Sequence, residues 1–224
     1  MATWLRTAAC VLAVAGAATL RADDAASLVE RGHAQLRLAA TGRAEAAAQA
    51  LATFDAVLEK HPGHAGARAG RGLALVTQAL TAPMRAKLGL ARRGFAELDA
   101  AVAAAPDDAT IRLLRATNAA QMPLMLERRP VAEADFARLL VAARDDRVTM
   151  APSTRRGIFY QAAAFAMKER RLGAVELLEE AASVPAHEPD DAQIQSMLAL
   201  ARRQLTSPSH ADSQPPEKAS ASRP

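Results

Sequence analysis

No disulfide can form within this chain, because Cys10 is the one cysteine among 224 residues. The fold must therefore be held by packing alone. Aromatic side chains are nearly as scarce, at 3%, with Trp4 and Tyr160 each single and only five Phe. That leaves few of the residues that fill sheet cores or stack on nucleobases. Half of the chain is nonetheless apolar, and Ala and Leu dominate, which favours helices. An all-α fold is the expectation, with enough chain for one well-buried core. The isoelectric point of 9.8 accompanies a formal charge of only +4. The basic residues are scattered among acids, densest in pairs such as Arg92-Arg93, Arg155-Arg156 and Arg202-Arg203. With no aromatic platform and no basic block, nucleic-acid binding is excluded as a reading.

The opening MATWLRTAACVLAVAGAATLRADD carries an early Arg6, an apolar run from Ala8 to Leu20 and small residues before Asp23. It reads as a signal peptide over residues 1–22, cut after Ala22 or, alternatively, after Ala18. The run is shorter than the roughly 20 residues of a membrane-spanning helix, although an uncleaved membrane anchor is the alternative. Cys10 precedes most of the run, whereas a lipid-modified cysteine would follow it. Cleavage after Ala22 removes Arg6 and Arg21 and no acid, lowering the formal charge from +4 to +2. The expected location is periplasmic or secreted, with no stable membrane insertion after cleavage.

From residue 23 to 206 helical periodicity alternates with short breaks. A first helix holds Leu28, Gly32, Gln35 and Leu38, with Gly42 placed to close it as a left-handed cap. A second runs from Ala44 to Lys60, with Ala47, Ala50, Leu51, Phe54, Val57 and Leu58 on one stripe. Further helices are predicted at about 65–80, 84–105, 109–121, 131–145, 153–170, 172–184 and 190–205. The segment 207–224, SPSHADSQPPEKASASRP, has almost no apolar side chain and reads as a disordered tail.

The punctuation repeats. PDDA stands at Pro106–Ala109 and at Pro189–Ala192, and HPGHA at His61–Ala65. In each, proline ends one helix and a polar side chain can receive the free N–H groups of the next. Between these breaks, ALATFDAVLEKHP spaces Ala50, Phe54, Val57 and Pro62 at offsets 0, 4, 7 and 12, and ARAGRGLALV carries Gly72 eight residues into its helix. These features resemble the tetratricopeptide repeat, which implies that the small residue at Gly72 lets two helices of a hairpin approach closely. Gly94, Leu98, Ala101 and Pro106 keep the offsets. Ala134, Arg138, Val141 and Asp146 keep the spacing but put Arg at the large apolar position. Gly173, Leu177, Glu180 and Pro185 fit a frame starting at Thr154, with Glu180 where a small apolar residue is usual.

About four repeats, from Ala25 to His187, and a terminal capping helix from Asp190 to Leu205 are covered by the resemblance. It implies a right-handed superhelix of antiparallel helix pairs whose first helices line a concave groove. The family positions that face such a groove map onto Leu73, Val76 and Thr77, onto Leu113, Thr117 and Gln121, and onto Arg155, Ile158 and Phe165. Val29, His33 and Arg37 correspond in the first repeat. Two insertions, about ten residues around TAPMRAKLGL and about six around QMPLMLERRP, interrupt the array at the same kind of turn. They bring forward Pro83, Met84, Met122, Leu124 and Met125, either as extra turns packed on the body or as an adaptable apolar lip.

Catalytic signatures do not emerge. His61 and His64 straddle a turn, too few for a metal site, and GARAGRG lacks the strand that precedes a phosphate loop. The pairs Asp107-Asp108, Asp145-Asp146 and Asp190-Asp191 sit at helix boundaries, while Glu133, Asp135, Glu176, Glu179 and Glu180 fall on mixed-charge faces. The reading is a non-catalytic, cofactor-free exported adaptor or scaffold that binds a protein or peptide partner of the cell envelope. A periplasmic ligand-binding accessory of a transport system is the alternative. Because either cleavage site removes Trp4, protein recovered from the envelope should show tyrosine emission and no indole emission. Indole fluorescence in that fraction would show that the leader is retained.

Overall fold

The computed structural model describes residues 24–185 and 190–206. The signal segment and the polar tail lie outside the described residues. Helix α1 is described over 24–40. It is followed by α2 (Ala44–Lys60), α3 (Ala65–Thr81), α4 (Met84–Ala104), α5 (Ala109–Gln121), α6 (Arg129–Arg144), α7 (Pro152–Lys168), α8 (Ala174–Ser183) and α9 (Asp190–Thr206). A single 3-10 turn, Leu124–Leu126, separates α5 from α6, and no strand occurs among the described residues. The chain is all-α.

Local chemistry explains the boundaries. Gly42, at φ +92°, closes α1 as the left-handed cap, donating to the Ala39 carbonyl at 3.0 Å; only glycine adopts that backbone without strain. The repeated punctuation behaves alike in two places. His64 Nδ1 accepts from the Ala67 amide at 3.1 Å, and Asp108 Oδ1 accepts from Thr110 and Ile111 at 2.9 and 3.0 Å. Six residues after each proline an arginine returns to its carbonyl, Arg68 to Pro62 at 3.0 Å and Arg112 to Pro106 at 2.6 Å. In the later copy, Pro189 and the Asp190 side chain lie outside what is described. Helix α6 starts at Arg129, two residues ahead of the predicted start, because Pro130 fits the first turn, where its missing N–H costs no bond.

The described residues fall into two compact units that divide within α6, after Leu139. In the first unit α3 packs against α2, α4 and α5, and glycines set the spacing. Phe54 of α2 is fully buried, with its ring against Gly32 of α1 and Gly70 of α3, so close that a β-carbon at either glycine would overlap it. A β-carbon at Gly72 of α3 would lie 2.7 Å from the carbonyl oxygen of Gly94 in α4, and the reverse is equally true. The close approach inferred at Gly72 is thus present and reciprocal.

Buried residues also reveal a recurring triad at offsets 0, 4 and 7 on alternate helices. Ala50, Phe54 and Val57 form it on α2, and Gly94, Leu98 and Ala101 on α4, all buried. On α6 the sequence register needs correction. Ala134, Arg138 and Val141 face outward, Val141 at 73% exposure, whereas Ala132, Phe136 and Leu139 are buried. The buried triad therefore begins two residues earlier than the sequence frame placed it. Arg138 is accordingly a surface residue, 3.2 Å from Asp107.

The second unit packs α7 on α8 and α8 on α9. Its triad on α8 is Ala174, Leu178 and Ala181, one residue later than the sequence frame. Glu180 is thereby freed from an apolar slot and receives Arg144 through both carboxylate oxygens, at 3.0 Å from each of Nε and Nη2. Ile194, Leu198 and Ala201 of α9 are buried at the same offsets. Arg156 of α7, buried, donates to the Val184 carbonyl at 2.9 Å and to the Asp191 carboxylate, joining the end of α8 to the start of α9.

Two glycines in adjoining helices should respond to alanine in opposite ways. Gly72→Ala places a methyl against backbone and should lower unfolding free energy by about 1–3 kcal/mol, despite a better helix former. Gly89, in α4, has nothing within 4 Å of its missing β-carbon, so Gly89→Ala should add about 0.5–1 kcal/mol. Urea denaturation of both variants measures the contrast.

Candidate partner-binding surface

The residues assigned to a groove separate by burial. Leu73 and Thr77 on α3 and Leu113 and Thr117 on α5 are half-buried, and Gln121 is exposed. Helices α3 and α5 pack against one another, so in the first unit these positions belong to neighbouring helices. Leu73 also packs, with Val29 of α1, against the cluster around Phe54. Val76, Ile158 and Phe165 correct the assignment. They are 3%, 0% and 7% exposed, so they serve the interior and have no surface to offer. Val76 packs against Gly94, and the Phe165 ring lies 5.6 Å beneath the Arg171 guanidinium. Arg155 is half-buried, its guanidinium 3.2 Å from the Val148 carbonyl and 3.5 Å from Asp146. His33 stands edge-on to Phe54 at 5.4 Å. Burial there holds its pKa below the ordinary histidine value, with Glu30 opposing and Arg37 reinforcing the shift.

The insertions present the opposite picture. Pro83 is exposed, Met84 is 81% exposed, and Leu124 and Met125 exceed 75%; only Met122 is half-buried. Long apolar side chains left in water at a turn are not core fillers. Leu80 and Leu88 are also exposed, and sequence reading missed them. Met84 and Leu88 stand four residues apart on α4, whereas Leu80 belongs to α3, across the turn. Around Leu124 the backbone is satisfied internally, with Leu126 and Glu127 amides donating to Pro123 and Leu124 carbonyls at 3.0 and 2.9 Å. Glu127 takes the left-handed conformation, φ 51°. The turn is a defined shape, not a slack loop.

An ionic network anchors the chain on either side of this turn. Asp135 of α6 is 2% exposed. Its Oδ1 receives Arg112 Nη1 at 2.9 Å and Arg115 Nη2 at 2.8 Å, and its Oδ2 receives Arg115 Nε at 2.7 Å. Arg115 continues to Asp99 at 3.1 Å, and Asp99 receives Arg128 at 2.8 Å. The Arg128 guanidinium also covers the Phe95 ring at 4.7 Å, a cation–π contact. The hydrogen bond to Asp135, with both carboxylates nearby, raises the pKa of Arg115. Asp135 is therefore no solvated helix face, as its sequence context suggested. It lies between Ala132 and Leu139 on the buried stripe, which only the corrected register makes visible. A carboxylate is tolerable there because two guanidiniums saturate its lone pairs.

Among the described residues no group of three or more His, Cys, Asp and Glu side chains is arranged to hold a metal ion. None of the described helices is long and apolar enough to cross a membrane. No protein-family model matches the chain, and neither a curated protein nor a solved structure matches it significantly.

Removing the shared acceptor strands two arginines. Asp135→Asn should destabilise the first unit by about 3–5 kcal/mol, as uncompensated buried charge does. Arg138→Ala, at an exposed pair, should cost under about 1 kcal/mol. Thermal denaturation of the two variants in parallel checks the difference; equal, small losses would contradict the buried network.

Proposed function

We propose that the chain is an exported, tetratricopeptide-like helical-repeat adaptor that binds a protein or peptide partner, and that it performs no catalysis. One observation carries the repeat reading: a buried triad at offsets 0, 4 and 7, small at its first position and large at its second, recurs on α2, α4, α6 and α8. The reciprocal Gly72–Gly94 contact and packing between sequential helices support it. In this reading the helix pairs stack as a solenoid and α9 closes the end.

The binding reading rests on the exposed apolar side chains at the insertions. Met84, Leu124 and Met125 are exposed, and the turn that carries Leu124 and Met125 is followed by Arg128, which bonds Asp99. Burying such a side chain against a partner is worth about 1.5–3 kcal/mol, more than a solvated polar contact supplies. The half-buried Leu73 and Thr77 of α3 and Leu113 and Thr117 of α5 provide a second surface of mixed character.

The experiment is affinity capture from envelope extract with the tagged full chain, identification of the recovered partner, and titration of that partner against variants. Leu124→Asp with Met125→Asp should weaken binding at least about tenfold with unchanged helical circular dichroism. Leu172→Asp, in the second unit and 82% exposed, serves as control. Unchanged affinity in the double variant removes the lip from the proposal.

A further inference from the structure

The scattering of basic residues among acids breaks down over one stretch. Between Glu59 and Glu97 there is no acid, while seven Lys and Arg residues occur. Two of these are engaged: Arg68 with the Pro62 carbonyl, and Arg71 with Asp55 at 3.0 Å and Glu97 at 3.5 Å, although its Nε lacks a well-directed hydrogen bond. The first three turns of α4 are different. Among the described residues, Arg85, Lys87, Arg92 and Arg93 have no carboxylate within ion-pair distance. Four unneutralised cations within nine residues of one helix contrast with α5, where Arg112 and Arg115 are both paired.

Geometry gathers these cations around an apolar row. Met84, Leu88 and Arg92 follow one another at four-residue intervals, and Arg85 lies beside Leu88 at a spacing of three, so they share one face. All four are exposed. The face extends about 12 Å at 1.5 Å per residue, the length of a short peptide segment. Its two apolar side chains can anchor a partner, while the flanking guanidiniums can hold carboxylates in forked hydrogen bonds.

We infer that the opening turns of α4 are a docking ridge for an acidic segment that carries apolar anchors, the partner being a peptide stretch of another protein. This rests on the adaptor reading and specifies its partner's chemistry. A membrane surface is the poorer occupant, since interfacial helices bury a broad apolar face and this one offers Met84 and a Leu88 that is only 37% exposed. Nucleic acid is disfavoured because no aromatic side chain stands among the cations from Met84 to Arg93.

The test is selection from a random displayed peptide library on the full chain at low salt, with the enriched peptides titrated against variants. Three proteins are compared with the wild type: Arg85→Glu with Arg92→Glu; Arg31→Glu on α1 with Arg43→Glu just beyond its end, both exposed, as the α1 charge control; and Leu124→Asp with Met125→Asp. Circular dichroism verifies that each is folded. Enriched peptides should combine Asp or Glu with Leu, Met or Phe. Their affinity should fall at least about tenfold in the α4 variant and remain within about twofold in the α1 control, with added salt weakening the wild type. Acidic peptides that bind the α4 variant undiminished overturn the inference. Peptides without acidic bias that are lost only in the Leu124/Met125 variant overturn it while leaving the adaptor reading standing. An absence of any enriched peptide overturns both. If phosphatidylglycerol vesicles instead co-sediment the chain through Arg85 and Arg92, and no acidic peptide is enriched, the ridge serves a membrane and the inference falls.

Discussion

Everything in the first unit depends on how near its helices can come. A core built mainly from alanine and leucine, with few aromatics, has little volume with which to fill the space between helices at ordinary separations. Glycine resolves this by deleting side chains where two backbones meet. Gly72 and Gly94 let α3 and α4 touch through their main chains, and the neighbouring Val76 and Leu98 then close over the contact. Where an aromatic ring is present, Gly32 and Gly70 make room for it. The price of glycine is weaker helix propensity, about 1 kcal/mol each relative to alanine, and it is offset by dispersion contacts that a wider spacing would forfeit.

Electrostatics follows the same division between interior and surface. Asp135 is buried with its counter-charges already in place, a paired network that ties α5 to α6 and, through Asp99 and Arg128, reaches α4. The cations at the beginning of α4 have no such partners. Since both patterns occur on helices of the same unit, overall net charge is a poor guide to either. What distinguishes them is whether the carboxylate lies on the stripe that packs.

Much of the secondary structure was legible in the sequence, because the breaks are chemically explicit: Gly42, Pro62, Pro106, Asp108 and His64 each act locally. Helix boundaries moved by only one or two residues. Register was less legible. In α6, two candidate triads lie two residues apart, Ala134–Arg138–Val141 and Ala132–Phe136–Leu139, and the spacing that ran on to Asp146 pointed to the poorer one. Hydrophobic content alone favours the second, and choosing it also places Asp135 on the buried stripe. The groove suffered from the same dependence on a template, since Val76, Ile158 and Phe165 occupy surface positions in the family pattern and interior positions here. Exposure at the insertions could not be read from composition, because methionine and leucine suit a core and a lip equally well.

Phe54 has one further meaning. Its slot is furnished half by the helix before it and half by the helix after it, so neither adjoining pair owns the site. Such shared furniture restricts how these three helices can change over time: a substitution in either flank must keep its glycine, or the ring has nowhere to go. Change at this seam is thus coupled across neighbouring helices, whereas drift at the exposed turns stays open.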